Sequence, residues 1–217
     1  MFDRKMLGIR LRAASAGLIG KKMARARLRA QYYKEFQQHH PHIEYDTQWR
    51  QQSIKAVHNE SGFVFGQVVN VLKALPASAK KNILLAGESA QAKQAYSAIL
   101  GVPVTAITTA GLHDDADKQW NFEQNPPALE PASIIVSHAI LEHLIDPYKH
   151  VCDLVRLLAP GGYLILYTVI PGFPYHRYPV DCLRFFPDWF VEVAKRNNVS
   201  IHNQYIGEDH LVFTFRK

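Results

Sequence analysis

The sequence has few cysteines and no long apolar run. Cys152 and Cys182 are the only cysteines among 217 residues, and without the paired spacing of a zinc site they predict free thiols in a reducing compartment. No uninterrupted apolar stretch approaches the roughly 20 residues of a membrane-spanning helix. Arginines interrupt the N-terminus where a signal peptide would be apolar. We therefore expect a cytoplasmic protein.

Acidic residues are almost absent from the first 34 positions, which hold ten Lys or Arg and the single acid Asp3, whereas the rest of the chain holds 15 bases and 18 acids. A nucleic-acid groove should lie on the folded domain itself, so we expect no nucleic-acid partner. Residues 7–36 have a helical spacing that stops before Pro41. Such a basic helix can bind an acidic partner or the anionic inner face of a membrane, or it can pack on the domain or lie in solvent.

A metal-binding pattern is also missing. The histidines of "QQHHPH", which are His39, His40 and His42, have no nearby fourth ligand in the sequence. The sequence therefore predicts no metal.

Short apolar runs alternate with helical segments in the rest of the chain. After a predicted helix over residues 47–75, we expect strands at 82–89, 102–111, 132–139 and 163–170. Helices are expected at 90–101, from His143, with Pro147 near the start, to the "PGG" of residues 160–162, and from Pro187 onward, and two antiparallel strands close the chain. This order predicts an α/β fold with a Rossmann-like, mostly parallel sheet, a C-terminal antiparallel strand pair and an N-terminal helical extension. The extension covers residues 1–45 and the domain covers residues 46–217.

Ligands of an open parallel sheet bind at the carboxyl ends of its strands. Four loops occupy that position here, namely "AGESAQ" (86–91), "TAGLHDD" (109–115), "SHAILEH" (137–143) and "PGFPYHRYPVD" (171–181). The last loop combines prolines and aromatic residues with polar groups that can transfer protons, as expected for a shaped loop beside a ligand.

The segment between the third and fourth strands resembles a known family. The motifs "LEH" (141–143), "DP" (146–147) and "L-x-PGG" (158–162) are similar to the second half of class I S-adenosylmethionine-dependent methyltransferases, in their small-molecule branch. The stretch "YPVDCLRFFPDWF" (178–190) resembles the "HP-x-D-x-x-RF-x-P" stretch of type 11-like methyltransferases of bacterial glycan and secondary metabolism. The resemblance implies S-adenosylmethionine as cofactor and methyl transfer to an oxygen, or less often a nitrogen, of a small molecule or glycan precursor.

The first two loops depart from this family. Members usually carry a glycine-rich loop after the first strand, whereas Gly87 is the only glycine here, and Thr108 or Thr109 stands where the second strand usually ends in an acid. The resemblance implies that Asp117 lies near the adenine and that Trp120 forms a flat apolar wall. The residues assigned to the cofactor are Ala86, Gly87, Glu88, Thr109, Asp117, Trp120, Ser137 and His138.

The histidines after the third and fourth strands are the candidates for acid–base chemistry. Because the pKa of histidine lies near neutral pH, we expect His176 to be the general base and Asp181 to orient it. His143 is a further catalytic candidate, although it could instead stabilise the turn before its helix. The expected substrate contacts are Tyr175, Arg177, Tyr178 and Arg184, and Arg184 could instead pair with Asp181.

Two other functions fit part of the pattern. The degenerate first loop is compatible with a non-catalytic binding or scaffold protein that keeps the fold and has lost the cofactor site. A nicotinamide-dependent oxidoreductase would need a dinucleotide-binding glycine fingerprint, which Gly87 alone does not provide.

Overall fold

The computed structural model divides the chain into two compact units, Met1–Glu44 and Tyr45–Lys217. It describes residue 20, scattered positions between 23 and 41, and residues 57–59, 62–64, 66–173, 175–177, 180–207 and 210–217. In the first unit the described positions between Met23 and His39 are helical. The other positions of the predicted basic helix lie outside the described residues. No described helix combines the length and the apolar character needed to cross a membrane.

The first described element of the second unit is a β-hairpin. Strand β1 (Val57–Asn59) pairs antiparallel with β2 (Gly62–Val64), and Asn59 lies opposite Gly62. The predicted helix over residues 47–75 is therefore wrong in this part, because Asn and Gly favour a tight turn and valine and phenylalanine favour strands. Helix α1 (Gly66–Ala74) confirms its last third.

The sheet has the predicted architecture. The other strands of the described residues are β3 (Ile83–Ala86), β4 (Ile107–Gly111), β5 (Lys118–Gln119), β6 (Ala132–His138), β7 (Leu158–Val169), β8 (Ser200–Ile206) and β9 (His210–Arg216). They form a seven-stranded sheet in the order β5-β4-β3-β6-β7-β9-β8. Strands β3 to β7 are parallel to one another, whereas β9 runs antiparallel to both β7 and β8.

Local sequence signals mark boundaries of three helices in the domain. Helix α2 (Ala92–Leu100) ends at Gly101, whose φ of 68° is readily adopted by glycine. Helix α3 (Pro147–Leu157) begins after Asp146, whose carboxylate accepts a hydrogen bond from the N–H of Lys149. Helix α4 (Pro187–Arg196) also has proline in its first turn.

Two elements differ from the prediction. The short edge strand β5 lies in a segment that was expected to be a loop. Strand β7 already begins at Leu158 and runs through the "PGG" segment, where the helix was expected to end. The register between β6 and β7 shifts there, so the segment forms a bulge. A side chain at Gly162 would have its Cβ only 2.8 Å from the carbonyl oxygen of Ala159.

Helices α1 and α2 contribute to one apolar core. Leu72 of α1 and Tyr96 of α2 are fully buried and belong to the same cluster as Leu85, Ile134 and Ile165 of the central strands. Burial of each aliphatic side chain contributes about 1.5–3 kcal/mol relative to an exposed one. The packed sheet therefore provides a rigid support for the loops at its carboxyl edge.

Candidate functional site

A cavity of about 480 Å³ lies at the carboxyl edge of the sheet. It is formed by the loops that follow β3, β4 and β6, together with the loop that follows β7, and its volume is within the range of small-molecule sites. Its lining residues include Gly87, His113, Phe122, His138, Ile140, His143 and Val180.

Gly87 is the residue of the loop after β3 that lines this cavity. Its φ is 91°, and its N–H donates a hydrogen bond to the carbonyl oxygen of Ala110 at 2.7 Å. A Cβ at this position would lie 2.1 Å from Cδ1 and 2.6 Å from Cγ1 of Ile140. The preceding Ala86 is fully buried in β3. The single glycine of the loop therefore stands at the position where a side chain would collide with the opposite wall.

Glu88 and His138 were predicted as separate cofactor contacts, and the structure brings them together. Nδ1 of His138 lies 3.0 Å from Oε1 of Glu88, which also accepts a hydrogen bond of 3.1 Å from the hydroxyl of Tyr96. Burial, followed by the charge of Glu88, raises the pKa of Tyr96 well above its usual value. The His138 ring also packs on Tyr167, with ring centroids 4.8 Å apart. The carboxylate thus fixes an imidazole in the cavity wall.

Asp117, which directly precedes β5, lies beside Thr109 of β4, and its carboxylate is already hydrogen-bonded. Oδ2 accepts hydrogen bonds from the backbone N–H of Thr109 at 2.8 Å and from its hydroxyl at 3.1 Å. Nζ of Lys93 lies 2.5 Å from Oδ1. Partial burial alone would raise the pKa of Asp117, but the hydrogen bond from Lys93 and the one from the Thr109 backbone outweigh it and lower this pKa.

Trp120 and Ser137 are buried behind the cavity. Trp120 is 2% exposed and packs edge-on against Phe122, with ring centroids 4.8 Å apart. Phe122, rather than Trp120, lines the cavity, which corrects the predicted apolar wall. The hydroxyl of Ser137 is 3.1 Å from Nε2 of His150, and burial lowers the pKa of His150 to about 3.

The loops after β6 and β7 meet in a cluster formed by Glu142, His143 and His176, which we call the EHH cluster. Glu142 is fully buried, and its Oε2 accepts a hydrogen bond of 2.7 Å from the hydroxyl of Thr168. Its Oε1 has no hydrogen-bond partner among the described residues and lies 3.9 Å from Nε2 of His176. Nδ1 of His143 donates to the carbonyl oxygen of Val180, and the two imidazole rings are 4.9 Å apart.

Asp181 contacts both of its predicted partners. Its Oδ2 accepts a hydrogen bond of 2.7 Å from the backbone N–H of His176 and lies 3.6 Å from Nδ1 of that ring. Arg184 donates to both oxygens of the same carboxylate, with 2.7 Å between Nη2 and Oδ2. The hydrogen bond from Arg184 is the main reason why the pKa of Asp181 lies well below its usual value. Of the two roles predicted for Arg184, the structure shows the pairing with Asp181.

The loop after β7 is attached to the Glu142 turn through its backbone. The N–H groups of Cys182 and Leu183 donate to the carbonyl oxygen of Glu142 at 2.8 and 3.2 Å. Tyr175 is 74% exposed, and Arg177 is also exposed. Tyr178, another predicted substrate contact, lies outside the described residues. The loop therefore brings His176 to Glu142 and His143 of the EHH cluster, while the side chains of Tyr175 and Arg177 face solvent.

The fold can be compared with solved structures. No family model matches the sequence. A S-adenosylmethionine-dependent methyltransferase from Mesorhizobium loti matches with a TM-score of 0.55 and 12% identity, over 70% of this chain and 96% of that chain. The 1,6-didemethyltoxoflavin-N1-methyltransferase of Burkholderia thailandensis, which holds its substrate and S-adenosylhomocysteine, matches with a TM-score of 0.53 and 12% identity, over 70% and 77% of the two chains. The domain has the class I methyltransferase fold.

The methyltransferase fold by itself does not determine the reaction. The [4+2]-cyclase SpnF matches this chain with a TM-score of 0.54 and 11% identity, over 76% of this chain and 86% of that chain. The function of this protein therefore has to be argued from its own cavity and side chains.

Proposed function

We propose that the protein transfers a methyl group from S-adenosylmethionine to an oxygen, or less often a nitrogen, of a small molecule or glycan precursor, as the family resemblance implies. The observation that carries the proposal is the cavity of about 480 Å³, which has the Gly87 backbone on its wall and His143 of the EHH cluster among its lining residues. This arrangement combines a wall that accepts a closely packed ligand with polar groups suited to proton transfer.

The first-loop side of the cavity fits the cofactor. Gly87 has no side chain, so its backbone lines the cavity, and the Glu88–His138 pair adds a carboxylate and an imidazole beside it. We assign Ala86, Gly87, Glu88 and His138 to cofactor binding. When bound, S-adenosylmethionine supplies an electrophilic methyl group on a sulfonium, so the protein has to position the acceptor and exclude water.

The residues expected to bind the ribose of the cofactor fit it less well than those around Gly87. Thr109 and Asp117 were assigned to the cofactor, but Asp117 is bonded to Thr109 and Lys93. A cofactor hydroxyl that used Asp117 would have to share this carboxylate with Lys93. We therefore expect most of the binding energy to come from the Gly87 side.

The EHH cluster is assigned to the acceptor. A hydroxyl or amine acceptor has to lose a proton, and His176, with Asp181 3.6 Å from its Nδ1, is the predicted general base. His143, in the cavity wall, places the same cluster within reach of a bound acceptor. Tyr175, Arg177 and Arg184 stay predictions for substrate binding.

The test uses calorimetry on the full chain with S-adenosylhomocysteine, the stable product of the cofactor. We expect saturable binding of one molecule per chain and competition by S-adenosylmethionine. Absence of binding at millimolar concentration would contradict the proposal and favour the non-catalytic alternative. That alternative predicts a filled cavity, whereas the cavity here is open.

A further inference from the structure

The three members of the EHH cluster have the composition and spacing of a metal site. One ligand atom from each of Glu142, His143 and His176 lies within 4.8 Å of the other two. Ligands about 2.1 Å from a tetrahedral ion are about 3.4 Å apart. The three atoms are therefore at most about 1.4 Å farther apart than the ligands of a single ion.

The carboxylate of Glu142 is the first reason to infer an ion. Its side chain is fully buried, yet Oε1 has no hydrogen-bond partner among the described residues. The ring of His176 faces this oxygen, but 3.9 Å between Nε2 and Oε1 is too long for a hydrogen bond. A buried carboxylate oxygen without a partner is costly, and a cation between it and the imidazole would remove the cost.

The groups that face Nδ1 of the two imidazoles are the second reason. A backbone carbonyl only accepts hydrogen bonds, so the contact of His143 with Val180 places the proton on Nδ1 and leaves the lone pair of Nε2 free. For His176, the carboxylate of Asp181 faces Nδ1 and favours the proton there. Metal-binding histidines commonly have a carbonyl or a carboxylate at the other ring nitrogen, which fixes their tautomer.

We propose that Glu142, His143 and His176 bind one divalent transition-metal ion, with zinc as the best fit. Two imidazoles and one carboxylate suit zinc, iron or cobalt, whereas magnesium and calcium prefer oxygen ligands. Three protein ligands leave a coordination position open, as in catalytic zinc sites.

The open position gives the ion a role in the reaction. Because His143 lines the cavity, the ion is accessible from it, and an acceptor oxygen can bind there. This role, unlike the metal site itself, rests on the proposed function. It also changes the assignment of His176, because a lone pair bound to the ion cannot accept a proton.

The experiment measures metal binding to the full chain after removal of bound ions with a chelator. Zinc is titrated in a calorimeter, and cobalt is titrated by visible absorption, which reports the ligand geometry. We expect one ion per chain. Glu142→Gln and His176→Ala should each weaken zinc binding at least tenfold. His176 is the safer variant because its side chain is 36% exposed and its loss leaves the core intact.

His113→Ala is the matched control, because His113 lines the same cavity but lies outside the EHH cluster. Its zinc affinity should equal that of the unmodified protein. No zinc binding by the stripped protein, or equal binding by His176→Ala, would overturn the inference. A loss in His113→Ala as large as that in His176→Ala would also overturn it, because the ion would then lie elsewhere.

Binding of S-adenosylhomocysteine is measured on the same samples. Cofactor binding without zinc binding overturns the metal site and leaves the proposed function in place. Zinc binding without cofactor binding supports the metal site and contradicts the proposed function. The two proposals can therefore fail separately.

Discussion

Replacement of Gly87 by alanine is the most direct test of where the cofactor lies. Gly87 has a φ of 91°, and a Cβ there would lie 2.1 Å from Cδ1 of Ile140. Gly101 provides a matched control, since it also has a positive φ, 68°, but a Cβ there would have no neighbour within 4 Å. Both variants therefore strain the backbone, and only Gly87→Ala changes the cavity.

Backbone strain should lower the free energy of unfolding in both variants, whereas the Kd for the ligand should change in only one of them. A left-handed conformation costs an L-residue about 1–2 kcal/mol, so both variants should lose about that much free energy of unfolding. Gly87→Ala should lose somewhat more, because the Ile140 side chain has to move. The added methyl group should also keep the cofactor from the loop backbone. We expect at least a tenfold rise in the Kd for S-adenosylhomocysteine, about 1.4 kcal/mol, in Gly87→Ala and no change in Gly101→Ala.

Urea denaturation followed by circular dichroism gives the free energies of unfolding, and calorimetry gives the Kd. Wild-type affinity in Gly87→Ala would refute the placement of the cofactor at Gly87. An equal loss of affinity in Gly101→Ala would show that general destabilisation, rather than the contact with Ile140, weakens binding.

Two further predictions concern stability. Burial lowers the pKa of His150 from 6.5 to about 3, so the unfolded chain binds the additional proton between these values. This residue should therefore remove about 2 kcal/mol of stability between pH 7.5 and pH 5. Urea denaturation of His150→Gln should show a weaker pH dependence, and an unchanged one would contradict the assignment. Thr168→Val removes the hydroxyl that donates to buried Glu142 and should cost about 1.5–3 kcal/mol in the same assay. Thr214→Val is its control, because this buried hydroxyl has no hydrogen-bond partner among the described residues. Equal losses of unfolding free energy in the two variants would contradict a stabilising role of the Thr168–Glu142 hydrogen bond.

The sequence predicted those helix boundaries that depend on the backbone preference of a single residue. Gly101, Pro147 and Pro187 mark helix boundaries because their backbone preferences act within one turn. The bulge at the "PGG" segment could not be read in this way, because it depends on the register between β7 and the neighbouring β6. The β1–β2 hairpin was missed because short apolar runs fit the spacing of either a helix or a strand.

The sequence predicted which loops form the site, but it predicted few of the contacts between their side chains. The rule for parallel sheets selected the loops that surround the cavity, and the sequence placed Asp181 beside His176. It did not reveal that Asp117 is bonded to Lys93, because that contact joins helix α2 to a separate loop. The EHH cluster was missed for the same reason, since His176 lies near Glu142 and His143 only because β6 and β7 are neighbours in the sheet.

Glu142 contacts the loop after β7 through both its backbone and its side chain. Its carbonyl oxygen accepts hydrogen bonds from the N–H groups of Cys182 and Leu183 in that loop. Its carboxylate faces the ring of His176, which belongs to the same loop. A movement of this loop away from the turn would break these backbone hydrogen bonds and also separate the imidazole from the carboxylate. The position of His176 is therefore fixed by the residue with which it is proposed to share an ion. Rigid support of this kind is what a metal site needs, because its ligands have to be held near their final geometry before the ion binds.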